Sequence, residues 1–230
     1  MNKYEISKKI AAFAPVETAE PWDCVGFMVE TNKSEVSKIM LCLTVTDNIV
    51  NQARAEKCDM IIAHHPLFCV PVEWSDIDIY SAHTNLDKAQ GGTTDTLIRS
   101  LGFEPNQQTS QEFLRFVDFN SPVLLDNFIQ KLRKISPNLR HVNNKNIQYI
   151  QKAAFCAGSG AEFINASNDA GADCLVTGDL KFHTALDSNI AVFDIGHFES
   201  EIIILPVLKN IIGEGVEVVF AKEDCPFIYN

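Results

Sequence analysis

The sequence predicts an α/β protein of two similar α/β lobes related by a pseudo-twofold internal repeat. Each lobe is expected to be a mixed sheet flanked by helices, with a two-metal site in the cleft between them. Three observations carry this expectation. Short apolar runs alternate with helical patterns along the chain, the order that builds βαβ units. One such run, Met-Ile-Ile-Ala at 60–63, ends in His64, His65 and Pro66. The second half of the chain repeats the first at an offset of 114 residues.

Taken in order, Ile6, Ile10 and Phe13 lie at helical spacing, and Pro15 sets the end of an N-terminal helix over residues 3–14. The stretch P-W-D-C-V-G-F-M-V follows. Trp22 and Asp23 either project from a loop toward a site or serve as core filler and turn residue. Residues 39–45 read as a strand, Thr46 or Asp47 as a helix cap, and a helix is expected to about Lys57. The next strand spans 58–63, closing a βαβ unit with a right-handed crossover and parallel strands. Residues 80–82 form a short strand running into H-T-N-L-D, and a helix is expected over 93–101.

Residues 102–110, with Pro, Asn, Gln and Thr, make the linker candidate. They divide a first lobe, 1–110, from a second, 111–230, whose terminal strand is expected to pack back on the first. Residues 112–119 read as a strand. Ser121 followed by Pro122 reads as the capped start of a helix running to about Ile135. Strands are then expected at 139–142, 152–157, 174–177, 190–195 and 216–221, with a helix to about Ala170 and a long one from near Glu199.

Composition excludes several classes. The 230 residues are 46% hydrophobic and 21% charged, the balance of a globular chain. The first nine residues lack the apolar core of a signal peptide, and no apolar run approaches the ~18 residues of a membrane span, so a cytoplasmic location is expected. The seven cysteines are odd in number and never spaced C-x-x-C, which argues against a disulfide framework and a zinc knuckle. A net charge of −11 disfavours nucleic acid as a partner.

The repeat concentrates attention on five residues. I-I-A-H-H aligns with L-V-T-G-D, His83 falls on His197, and Asp87 falls on Glu201 without a gap. His64 and His65 alone admit two readings, a ligand pair brought together by a turn at Pro66, or two unrelated histidines, one buried and one wet. A duplicated half whose copies pack about a pseudo-twofold axis would gather His64, His65, Asp87, His197 and Glu201 in one cleft. Five nitrogen and oxygen donors without a thiolate suit zinc, manganese or iron, and are too many for one catalytic zinc. Two divalent ions per subunit are the better match.

W-D-x-V-G, I-I-A-H-H-P-L-F, A-H-T-N-L-D, G-G-T-T-D, A-G-S-G, T-G-D-L-K-F-H and D-I-G-H-F-E-S-E, in this order, resemble the Nif-three-like dinuclear metal centre family, which includes proteins named GTP cyclohydrolase I type 2 homologues. The resemblance spans nearly the whole chain. It implies a two-lobed α/β fold, a dimetal site on the same five residues, and a homo-oligomer, a toroidal hexamer with its sites facing an internal cavity. His83, Asp179 and His183 match further motif positions near the site and are candidates to orient ligands or transfer protons; Asp23 matches likewise. Cys24 stands where the family usually has Asn, and Thr93 and Thr94 where Asn is common, which touches substrate contacts rather than metal ligands. The expected function is a metal-dependent hydrolase acting on a small phosphoester or nucleotide-like substrate. The alternative is a non-catalytic, ring-shaped metal-binding, chaperone or protein-interaction protein.

Overall fold

The structure, a computed structural model, describes residues 1–106 and 112–228. The chain opens with helix α1 (Lys3–Phe13), strands β1 (Gly26–Val29) and β2 (Lys38–Cys42), helix α2 (Asp47–Ala55) and strands β3 (Met60–Ala63) and β4 (Asp78–Ser81). Next come helices α3 (Thr84–Lys88) and α4 (Thr93–Ser100), strand β5 (Arg115–Leu124), helix α5 (Leu125–Leu132) and strands β6 (Arg140–Val142) and β7 (Tyr149–Ser159). It continues through α6 (Ile164–Asp169), β8 (Cys174–Gly178), α7 (Phe182–Leu186), β9 (Ala191–Asp194), α8 (His197–Glu201), α9 (Leu205–Ile212) and β10 (Glu217–Phe220).

These elements form two compact units. The first is Met1–Gly92 with Ile204–Pro226, and the second is Thr93–Ile203 with Phe227 and Ile228. The expected lobe boundary at 110/111, and residues 107–110 of the expected linker, lie outside the described residues.

The first unit holds a mixed sheet ordered β1-β4-β3-β2-β10, in which β1 is antiparallel to β4 and the remaining pairs are parallel. Every residue of β3 and β4 is buried, as expected for parallel strands covered on both faces. One face packs Met40, Cys42, Ile61, Ala63 and Ile79 against Ile49, Val50 and Ala53 of α2. Thr46 caps α2 by accepting a hydrogen bond from the Ile49 amide, and Asn2 caps α1 by accepting one from Tyr4.

The second unit holds a mixed sheet ordered β5-β7-β8-β9-β6, with β7, β8 and β9 parallel and the two edge strands antiparallel to their neighbours. Successive residues alternate between two apolar layers: Ala153, Phe155, Cys174, Val176 and Phe193 face one, and Ala154, Cys156, Leu175 and Val192 the other.

Each unit carries the same local bonds at the 114-residue offset. Asp59 Oδ2 accepts from the amides of Ser37 and Lys38, and Asp173 Oδ2 from those of Gln151 and Lys152. The helix between them ends alike in both units: Cys58 N donates to Ala53 O and Ala172 N to Ser167 O, each after a left-handed residue, Lys57 at φ 56° and Gly171 at φ 75°.

Two expectations are corrected. Ser121 and Pro122 do not start a helix; they lie within β5, and α5 begins at Leu125. The reason is tertiary. β5 pairs with β7 on both sides of this point, Asp118 opposite Lys152 and Val123 opposite Ile150, and Pro122 falls in the irregular step between them, where its missing N–H removes no ladder bond. The long helix expected from Glu199 is instead three pieces: α8, a 3-10 turn at Ile202–Ile204, and α9 with Pro206 in its first turn.

One buried ion pair ties the N-terminal helix to the first sheet. Lys3 Nζ lies 3.1 Å from Asp78 Oδ1 with both side chains 1% exposed, and it donates to Thr31 O at 2.6 Å while the Thr31 amide donates to the same Asp78 oxygen. Removing one partner leaves the other charge buried alone, which costs ~3–5 kcal/mol. Lys3→Met is therefore expected to lower unfolding free energy by about that amount in urea titrations, and Lys3→Met/Asp78→Leu to recover part of it. A loss under ~1 kcal/mol in the single variant would show that the pair holds nothing.

Candidate metal centre

In the first unit the ends of β3 and β4 deliver three imidazoles to one place. The backbone continues the β2 ladder just past β3, with His64 N donating to Cys42 O and His65 N to Leu43 O, and bends at these two residues ahead of Pro66. Consecutive side chains thereby converge instead of alternating. The His64 and His65 ring centroids lie 5.1 Å apart, and the His83 ring is 5.2 Å from the first and 5.7 Å from the second. These three residues offer nitrogen atoms all within 4.8 Å of one another. Asp87, one turn into α3, places Oδ1 3.5 Å from His64 Nε2.

What fixes each ring is a partner on Nδ1. Fully buried His64 has Nδ1 2.9 Å from Ala82 O, a contact that requires the proton on that nitrogen. His65 Nδ1 meets Thr44 Oγ1 at 2.6 Å, and His83 Nδ1 meets Asp23 Oδ1 at 3.0 Å. Asp23 is held in turn. Its side chain is inaccessible to solvent, and its other oxygen accepts from the Thr84 amide and hydroxyl. Burial pushes the Asp23 carboxyl up, but the bonds from Thr84 and His83 outweigh it and keep the group below its usual value. Trp22, 59% exposed, stands edge-on to His83 with centroids 6.1 Å apart, so it is not core filler.

In the second unit the ends of β8 and β9 build a histidine–carboxylate cluster. His197 opens α8; its Nδ1 lies 2.7 Å from Asp179 Oδ2 and its Nε2 2.9 Å from Glu201 Oε2, one turn later on the same face. Asp179 follows β8 with φ 55°, a left-handed conformation that aspartate tolerates better than most residues. Burial alone would lower the His197 pKa. The bonds and charges of Glu201 and Asp179 reverse that and raise it to about 9.

Two glycines let α8 sit this close to the sheet. A Cβ on Gly158, at φ 67°, would lie 2.1 Å from Glu201 Oε1, and a Cβ on Gly178 would lie 2.8 Å from the His197 amide nitrogen. The Gly158 amide also donates to Ser200 Oγ, which donates to His197 O. Their role rests on an approach distance, which letters in A-G-S-G and T-G-D do not carry. Neither does the sequence signal that His83 converges with His64 and His65, or that Thr44 and Ala82 hold the rings.

The donor set fits a divalent cation. Four imidazoles, His64, His65, His83 and His197, each engage a carbonyl, hydroxyl or carboxylate through Nδ1, the arrangement that orients a histidine to coordinate through Nε2. Asp87 and Glu201 add hard oxygens. His183 lies elsewhere, exposed on α7 and edge-on to Phe182, and belongs to none of the converging groups found among the described residues.

Fold and site together define a class: an α/β protein with two mixed five-stranded sheets and histidine–carboxylate clusters at strand ends. The chain belongs to the Duf34/NIF3 (NGG1p interacting factor 3) family, whose model matches residues 1–226. It is 30% identical to a Clostridium perfringens protein named GTP cyclohydrolase 1 type 2 homolog, over 97% of each chain. Among solved structures it resembles reduced HcgD from Methanocaldococcus jannaschii, with TM-score 0.83 and 25% identity over 96% of this chain and 97% of the other. A Bacillus cereus protein related to NIF3 shares the fold at TM-score 0.85 and 19% identity, over 100% and 99% of the two chains.

Two outcomes follow from this geometry. Gly158→Ala forces a methyl group into the Glu201 carboxylate at a left-handed position, so it is expected to lower stability by at least ~1 kcal/mol and to weaken zinc uptake measured by calorimetry. Unchanged uptake would mean that Glu201 is not a ligand. The His197 pKa lies near 9 in the folded metal-free protein against 6.5 as its ordinary value. Its stabilisation is then complete below pH 6.5 and lost as pH rises through 9. Melting temperatures of chelator-treated protein are expected to fall over that window, and the fall to be absent in His197→Asn.

Proposed function

We propose that this protein is a hydrolase dependent on two divalent ions, zinc, manganese or iron, acting on a small phosphoester or nucleotide-like substrate. The ligands in this reading are His64, His65, Asp87, His197 and Glu201. The observation that carries it is the common orientation of the imidazoles, each held through Nδ1 by a carbonyl, hydroxyl or carboxylate. The name of the Clostridium perfringens relative supports a nucleotide-like substrate.

Bound divalent ions supply Lewis acidity toward a phosphoryl or carbonyl oxygen and lower the pKa of water. The chain's own groups do the rest. Asp179 holds the His197 ring and keeps its proton on Nδ1, leaving Nε2 to coordinate. His83, backed by Asp23, moves a proton to the leaving group; this role falls to it rather than to His183, which stands exposed on α7. In this reading the chain assembles into a homo-oligomer, a ring of six.

The test begins with elemental analysis of protein purified without added metal. About two ions per chain are expected, falling sharply in His65→Ala, and Glu201→Gln is expected to keep the fold while losing at least ~100-fold in phosphoester turnover. Protein that carries no metal and takes up none on titration with zinc, manganese or iron would remove the proposal.

A further inference from the structure

We infer that the second unit carries a phosphoryl-binding pocket built on Arg140, beside His197, that receives a phosphate group of the substrate. The inference rests on the proposed hydrolase only for which end of the substrate reacts. The pocket is a cavity of about 270 Å³. Its lining includes Ser136, Asn138, Arg140, Asp179, Asp194 and His197, together with the apolar Phe227 and Ile228. Its volume is just under the ~300 Å³ at which pockets for drug-sized ligands begin, so it suits a small metabolite.

Arg140 is fixed from one side only. Its Nε and Nη2 lie 2.8 and 2.7 Å from Asp194 Oδ2, and Nη2 also donates to Leu180 O at 2.8 Å. Among the described residues Nη1 donates to nothing, and the side chain is 70% exposed. Asp194, by contrast, is saturated. It accepts from Arg140 and from the amides of Leu180 and Gly196, and it is 6% exposed. Asp179 meets His197 through Oδ2 and is 45% exposed. The Asp194 charge is therefore met by Arg140 and two amides and that of Asp179 by His197, while several donors remain: the two N–H groups of Nη1, the Ser136 hydroxyl and the Asn138 amide.

Such a wall selects an acceptor-rich ligand. Several divergent donors match the tetrahedral oxygens of a phosphoryl group better than the two coplanar oxygens of a carboxylate, and a guanidinium already pinned by its Nε edge loses little freedom on binding. Phe227 and Ile228 give the carbon skeleton apolar surface to rest on.

The experiment titrates inorganic phosphate and glycerol 3-phosphate into chelator-treated, metal-free protein, followed by phosphorus NMR. Millimolar binding of both is expected. Arg140→Lys keeps a cation for Asp194 but has no fork, and is expected to weaken binding at least tenfold. Asn138→Leu, at an exposed position with no side-chain bond among the described residues, is expected to weaken it with the fold intact, and so decides the matter if Arg140→Lys does not fold. Lys8→Gln, which removes a surface charge on α1, is expected to change nothing. Absence of millimolar binding, equal binding by wild type and the pocket variant that folds, or an equal loss in Lys8→Gln would overturn the pocket. Because metal is absent throughout, a failed metal analysis leaves this result standing, and a failed phosphate titration leaves the metal centre standing.

Discussion

The seating of α8 against bare backbone is the constraint on which the second unit depends. At Gly158 and Gly178 there is no room for a methyl group, and the Glu201 carboxylate and the His197 amide occupy the space a Cβ would take. A helix carrying a histidine and a glutamate one turn apart can be held at many distances from a sheet. Here the distance is set at Gly178, where the α8 backbone takes the space of the missing side chain, and the Gly158–Ser200–His197 chain of hydrogen bonds locks it. The position of the donors is thus decided by packing in the scaffold rather than by the donors themselves, which is what a preorganised site requires.

Ring orientation adds a second layer of control. An imidazole offers two nitrogens, and a site that leaves the choice open pays in rotational freedom and in competing tautomers. Ala82 O, Asp23 and Asp179 remove the choice at His64, His83 and His197 respectively, and the Thr44 hydroxyl holds the His65 ring by the same nitrogen. A carbonyl, a hydroxyl and two carboxylates thus engage the same ring nitrogen in all four. The carboxylate partners at His83 and His197 also raise ligand basicity more than a carbonyl or hydroxyl does, so the four rings are alike in orientation and unlike in electron donation.

Much of this was legible in the sequence where a signal is local and strong. The apolar run before His64 and the proline after it predict a buried strand and a turn, and the structure has both. Helices α3 and α7 were not legible, because five residues are too few to show a helical period. Ser121-Pro122 misled because a cap followed by proline has the same letters at a helix start and at an irregular strand, and only the pairing of β5 with β7 decides between them. The ligand-type residues could be chosen from spacing, whereas their supports could not. Thr44, Ala82 and Gly158 are ordinary residues whose importance lies in what approaches them.

One feature of the first sheet bears on how the protein is made. Its edge strand β10 (Glu217–Phe220) pairs in parallel with β2 (Lys38–Cys42), roughly 180 residues earlier. Until the ribosome has released that segment, β2 offers a row of unpaired amides and carbonyls on an apolar strand, the surface that recruits strands from other chains. The second unit is almost continuous in sequence and can fold as it emerges, while the first must wait. Truncation before residue 217 should therefore harm solubility first, through an open sheet edge on a strand that lies at the opposite end of the sequence.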